Sequence, residues 1–151
     1  MERDAIVQQT QVEKEALGYL TLALLRTIEW PVEGGEFSRK LSSLRFVTES
    51  FQRHLERLFA LEELDGYMDV VCQQHPEMAE KVDDLQQQQE QLRTTTRQLM
   101  VQLDRIMPTN LTLFEVVCQE LRNLIKWLRE YNRAEQELLS AAGLHRSESG
   151  V

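Results

Sequence analysis

Four polar residues stand where the spacing of their segments asks for hydrocarbon: Glu62, Gln89, Tyr131 and Glu135. Two carboxylates, a carboxamide and a phenol gathered inside a helical protein could ligate a metal ion, and metal ions are the commonest reason for carboxylates to point inward from facing bundle helices. Left uncompensated, a buried carboxylate costs several kcal/mol, so such a layer persists only with a partner. Thr48 and Thr96 interrupt the same seams. Whether any of these residues meet is a question of helix length. Glu62 lies 13 residues before a turn near His75 and Gln89 lies 14 after it, which places both about 20 Å from that turn at 1.5 Å per residue. Counted from a second turn near Thr109, Gln89 is 20 residues back and Tyr131 is 22 forward, about 30 and 33 Å, with Glu135 one turn further on. The four are expected in one layer.

The elements that carry them are legible in the apolar period. Alternating steps of four and three run through Phe37, Leu41, Leu44, Thr48, Phe51, Leu55, Leu58 and Glu62, and through Met78, Val82, Leu85, Gln89, Leu92, Thr96, Leu99, Leu103 and Ile106. Val117, Leu121, Leu124, Leu128, Tyr131, Glu135 and Leu138 repeat the step, and Leu17, Leu20, Leu24 and Ile28 start it. Breaks fall at Pro31 to Gly35, at His75-Pro76-Glu77 and at Pro108-Thr-Asn110, with a weaker one at Asp65-Gly66. The pattern predicts an all-α, antiparallel up-down-up-down four-helix bundle. Residues 1–142 are expected to form it as one domain, with 143–151 a disordered tail. Thr112 followed by Glu115 reads as a capping box opening the last helix, and Gly143 as its end.

At this point a family becomes recognisable. Leu58-Phe-Ala-Leu-Glu62-Glu63-Leu-Asp-Gly66-Tyr67 resembles the second-helix motif of hemerythrin-like, cation-binding HHE domains, approximately His-Phe-x-x-Glu-Glu-x-Gly-Gly-Tyr. Leu85-x-x-x-Gln89-x-x-Leu92 resembles the third-helix motif, and Tyr131-Asn-Arg-Ala-Glu135-Gln-Glu-Leu138-Leu139 resembles the last one, His-x-x-x-Glu-x-x-Leu-Leu. The likeness spans nearly the whole chain. It implies a hemerythrin-like bundle and, in members with a di-iron centre, several imidazole ligands with bridging carboxylates. This chain keeps Glu62 and Glu135 and has Leu58, Gln89 and Tyr131 at the imidazole positions, so the five read as vestigial site positions. Glu13, Lys14 or a residue near Thr10 could take the first-helix place, but residues 1–53 contain no histidine.

The expectation is therefore a bundle without its di-iron site, with no cofactor; the alternative is an unorthodox carboxylate-rich iron site serving an oxygen or nitric oxide sensor or carrier. Gln89 and Tyr131 are donors that can satisfy carboxylate lone pairs, and Lys14 is the nearest ammonium able to stand in for a cation. Without such a partner at least one carboxyl is expected to be protonated. His54 shares a helix face with Leu58 and Glu62, yet lies about 12 Å from Glu62 along the axis, too far to share one ion, and reads as a boundary residue. Tyr67, Trp30 and Trp127 read as packing aromatics near the bundle rim, and Cys72 and Cys118 as buried or half-buried thiols.

Composition narrows the function classes. The 151 residues carry 17 Lys and Arg against 25 Asp and Glu, a net charge of −8, which argues against nucleic acid as a partner because that affinity rests on basic residues releasing counterions. No apolar stretch approaches the ~20 residues that cross a bilayer, and the N-terminal acids and glutamines do not form a signal peptide, so the expectation is a cytoplasmic protein without membrane contact. No catalytic motif is present, and an enzyme is not expected. A protein partner that no motif identifies is expected, with a homo-oligomer if Phe46, Phe59 and Leu64 make an apolar strip on the outer faces.

Overall fold

A computed structural model describes residues 2–31 and 36–144. They form α1 (Glu2–Glu29), α2 (Glu36–Asp65), a short α3 (Tyr67–Gln74), a 3-10 turn at Pro76–Met78, α4 (Ala79–Arg105) and α5 (Leu111–Ala141). The two Gly of the first break, Gly34 and Gly35, and His145 with the rest of the tail lie outside the described residues. Among the described residues no helix is long and apolar enough to cross a membrane.

The four long helices run antiparallel to their neighbours, and their seams meet. Every member of the α2 and α5 seams named above is buried; of the third seam only Gln89 on α4 and Met78 in the turn before it, and on α1 only Leu20, retain partial exposure. Cross-helix bonds fix the register. His54 meets Glu13 and Lys40 reaches the end of α1, so α2 descends along α1; Arg45 reaches Ile106 while Arg97 reaches Glu56, so α4 rises along α2. Lys14 meets Glu135 across α1 and α5, closing the ring of four.

The weaker break expected at Asp65-Gly66 is a real one: α2 ends at Asp65, and Gly66, at φ 71, separates it from the short α3. Such a left-handed residue costs least as glycine. The N-cap of α5 is Asn110, whose side chain accepts from the Leu113 backbone N–H at 3.1 Å, rather than a Thr112 capping box; the helix has begun by Leu111, and Asn is as good a cap as Thr. Phe59 is not on an outer face but fully buried, edge-on to Tyr131 with ring centroids 5.7 Å apart, whereas Phe46 and Leu64 are exposed. Gly143 does end α5, at φ 77, with Leu144 N–H returning to the Leu139 carbonyl at 2.8 Å.

At the end where α1 stops and α2 and α5 start, basic side chains close the helices. The Lys40 ammonium, buried, donates to the carbonyls of Ile28 at 2.7 Å and Trp30 at 2.6 Å. Arg45 donates to those of Leu103 and Ile106, both at 2.9 Å. Helix C-termini leave carbonyls without intrahelical donors and carry partial negative charge, so cations from a neighbouring helix answer both. Burial, foremost, pushes the Lys40 ammonium below the usual lysine range.

Candidate functional site

The polar layer sits near the other end of α2 and draws on five helices. Glu62 comes from α2, Tyr67 from α3, Gln89 from α4, Tyr131 and Glu135 from α5 and Lys14 from α1. Glu62 and Glu135 are buried, Glu135 at 1% exposure. The Gln89 amide donates to Glu62 Oε1 at 3.2 Å and to the Tyr131 hydroxyl at 2.6 Å. The Tyr67 hydroxyl donates a short hydrogen bond to Glu135 Oε2. Lys14 Nζ stands 3.8 Å from Glu135 Oε1, a charge contact longer than a hydrogen bond.

Of the positions singled out in the sequence, Glu62, Gln89, Tyr131 and Glu135 come together in the layer. Leu58 is buried one turn from Glu62 and brings no donor atom. Thr48 and Thr96 are buried elsewhere. Thr96 lies seven residues from Gln89, about 10 Å along α4, and returns its hydroxyl to the Leu92 carbonyl at 2.7 Å; Thr48 lies about 21 Å from Glu62 along α2 and its hydroxyl has no hydrogen-bond partner. His54 does not turn to the layer: its Nδ1 meets Glu13 Oε2 at 2.5 Å at the α1/α2 boundary. His75 lies in the turn after α3, its Nε2 at 3.2 Å from the Ala142 carbonyl.

Of the two first-helix residues at this level, Glu13 and Lys14, it is Lys14 that reaches inward. Lys14 faces α5, its ammonium meeting Glu135 in a cleft that Leu17 and Leu58 also line, while the next residue back, Glu13, faces α2. Thr10 lines the same interior face.

Tyr67 is the residue that sequence reasoning misplaced. Read as a rim aromatic, it is 1% exposed and bonded to Glu135. Had α2 continued straight, residue 67 would point well away from the face of Glu62; the left-handed Gly66 redirects it. The Gly66-Tyr67 pair was the available signal. Trp30 and Trp127 do lie at the rim, Trp127 donating from Nε1 to Gln88 Oε1 at 3.2 Å.

The electrostatics follow from burial beside acids. Desolvation, then the charges of Glu62 and Glu135, pushes the Tyr67 phenol far above its ordinary value. Tyr131 is pushed up by desolvation and the same two carboxylates, with the Gln89 amide opposing. Both phenols stay protonated across ordinary pH, Tyr67 donating to Glu135 and the Tyr131 hydroxyl accepting from Gln89. The open space between Val7, Thr10, Lys14, Glu62, Tyr67 and Glu135 amounts to about 10 Å³. On the other side of Glu62 a solvent cleft of about 350 Å³ runs between α2 and α4, lined by Glu63, Asp69 and Glu90 with Arg93 among them. Arg93 lies 3.4 Å from Glu56 and 3.9 Å from both Glu63 and Glu90, and its guanidinium stands 5.4 Å from the centre of the Phe59 ring, so this wall is an ion-pair network over a hydrophobic floor. Among the described residues no group of three His, Cys, Asp or Glu side chains is arranged to hold a metal ion.

The family model described as the hemerythrin HHE cation binding domain matches residues 15–142. No curated protein and no solved structure matches the chain significantly.

Proposed function

The chain belongs to the hemerythrin HHE cation-binding family, and from that premise we propose that it is a member in which an ammonium answers the acidic layer in place of iron, leaving a non-enzymatic helical protein that acts by contact with a protein partner in an interaction or regulatory role. The contact of Lys14 Nζ with Glu135 Oε1 at 3.8 Å carries this reading. A fixed positive charge beside one carboxylate supplies the compensation that burial demands and repels a second cation from the same place.

The donor set does not suit a di-iron centre. Iron in such sites takes nitrogen and carboxylate ligands, and the layer offers no imidazole: Leu58 brings no donor, Gln89 spends its amide N–H groups on Glu62 and Tyr131, and Tyr67 holds Glu135. About 10 Å³ between Lys14 and the two acids is room for roughly one water-sized molecule, too little for two ions and their bridging oxygens. Against an enzymatic role, two of the acids on the cleft beside Glu62, Glu63 and Glu90, are engaged by Arg93, and burial pushes the Cys118 thiol up, away from the reactive thiolate.

The test is anaerobic reconstitution with ferrous iron, followed by oxidation and removal of excess metal. We expect background iron and no absorption from an oxo-bridged pair. Two irons per chain, lost together in Glu62→Ala and Glu135→Ala, would establish the iron-binding sensor or carrier instead.

A further inference from the structure

The outward faces of α1 and α2 belong neither to the core nor to the polar layer. On α2 the solvent-side positions recur at helical spacing as Phe46, Glu49, Arg53, Arg57, Ala60 and Leu64, and beside them α1 exposes Val12, Glu15 and Tyr19. Isolated exposed apolar residues are ordinary. Here they are large and sorted by position: Phe46 is 70% exposed and Tyr19 76% towards one end, Leu64 70% and Val12 62% at the other. At the Leu64 end they form a shallow dish of about 550 Å³ lined by Val12, Ala60, Leu61 and Leu64, with Glu13 and Arg57 at its edge. Phe46 projects about 21 Å further along α2, on the same face as Ala60.

A projection and a dish on one face, spaced along one helix, are self-complementary under a two-fold axis, because a contact of residue i with residue j then implies j with i. The axis that seats Phe46 over Ala60 passes Arg53, midway between them. It sets Glu49 of one copy opposite Arg57 of the other, twice. Glu15 lies on α1 near the level of Arg53, as the contact of Glu13 with His54 fixes, and offers a carboxylate where the two Arg53 side chains approach. On a chain of net charge −8 this face carries Glu13, Glu15 and Glu49 against Arg53 and Arg57, close to balance, so a second copy meets little net repulsion there.

We propose that two copies of this chain pair through the outer faces of α1 and α2, antiparallel about a two-fold axis at Arg53, each seating its Phe46 in the other's Val12–Ala60–Leu61–Leu64 dish. The pairing leaves the polar layer untouched and does not depend on its metal content.

Sedimentation velocity on the full chain from low to high micromolar concentration tests it. The wild type is expected to pass from monomer to dimer over that range. Phe46→Glu, at a position 70% exposed, is expected to raise the dissociation constant at least tenfold with helicity unchanged. Glu49→Arg and Arg57→Glu are each expected to weaken pairing several-fold, and the double variant Glu49→Arg/Arg57→Glu to regain it, because the charges meet across the axis. A monomer at every concentration, a dimer indifferent to Phe46→Glu, or charge reversals whose effects simply add would each overturn the proposal.

Discussion

Lys40 and Lys14 both carry an ammonium into the bundle, at opposite ends of α2, and they meet different demands. Lys40 donates to two backbone carbonyls at the end of α1, with its Nζ 5.6 Å from the centre of the Phe114 ring. Its acceptors are dictated by any helix that stops there. Lys14 faces a carboxylate that no helix requires, and without Glu135 it would have no reason to turn inward. The first lysine belongs to the architecture; the second exists because the layer is acidic. A bundle end is thus closed by groups that backbone geometry guarantees, while an acidic layer holds only as long as particular side chains continue to match one another.

The sharpest way to break the comparison is Lys40→Met. Removing the buried donor leaves the Ile28 and Trp30 carbonyls unanswered, and a loss of about 2–4 kcal/mol of unfolding free energy is expected in a denaturant titration, with no dependence on what occupies residue 135. Lys14→Met should cost less, about 1–3 kcal/mol, because its side chain keeps some water and the contact is 3.8 Å. Next comes Gly66→Ala. No atom lies within 4 Å of the added Cβ, so the expected loss of about 1–2 kcal/mol arises from the left-handed backbone alone, and it should move Tyr67 away from Glu135.

The smallest and most specific effect is on pH dependence. Tyr67 and Tyr131 have folded-state values raised above the unfolded one, so their contribution is present in full below about pH 10 and declines as pH rises past it, since the unfolded chain then releases protons that the folded chain retains. Stability should fall above pH 10. The fall should be shallower in Tyr131→Phe, and phenolate absorbance from these two residues should appear only with unfolding. A stability flat to pH 12 would contradict the burial of the two phenols.

Much of this was legible in the sequence, for identifiable reasons. The four seams were readable because burial repeats every three to four residues, and Glu62, Gln89, Tyr131 and Glu135 could be brought to one level because helices advance by a constant rise. What resisted was everything that departs from a straight helix. The bend at Gly66 moves Tyr67 from rim to layer, and no periodicity reports a single positive φ. Residue type alone does not separate the Asn110 cap from Thr112, since both types cap and the boundary is set within one or two residues. Phe59 sits at the edge of the α2 seam, where spacing alone does not say whether a neighbouring helix covers it. Helix-end partners such as Lys40 and Arg45 depend on where another helix stops, which is a tertiary fact.

The central claim is that Lys14 is in the interior to neutralise Glu135, and a double-mutant cycle measures that directly. Unfolding free energies of the wild type, Lys14→Met, Glu135→Gln and the double variant should give a coupling of about 1–3 kcal/mol, with Glu135→Gln restoring most of what Lys14→Met removes. Additive losses, with a coupling near zero, would contradict it.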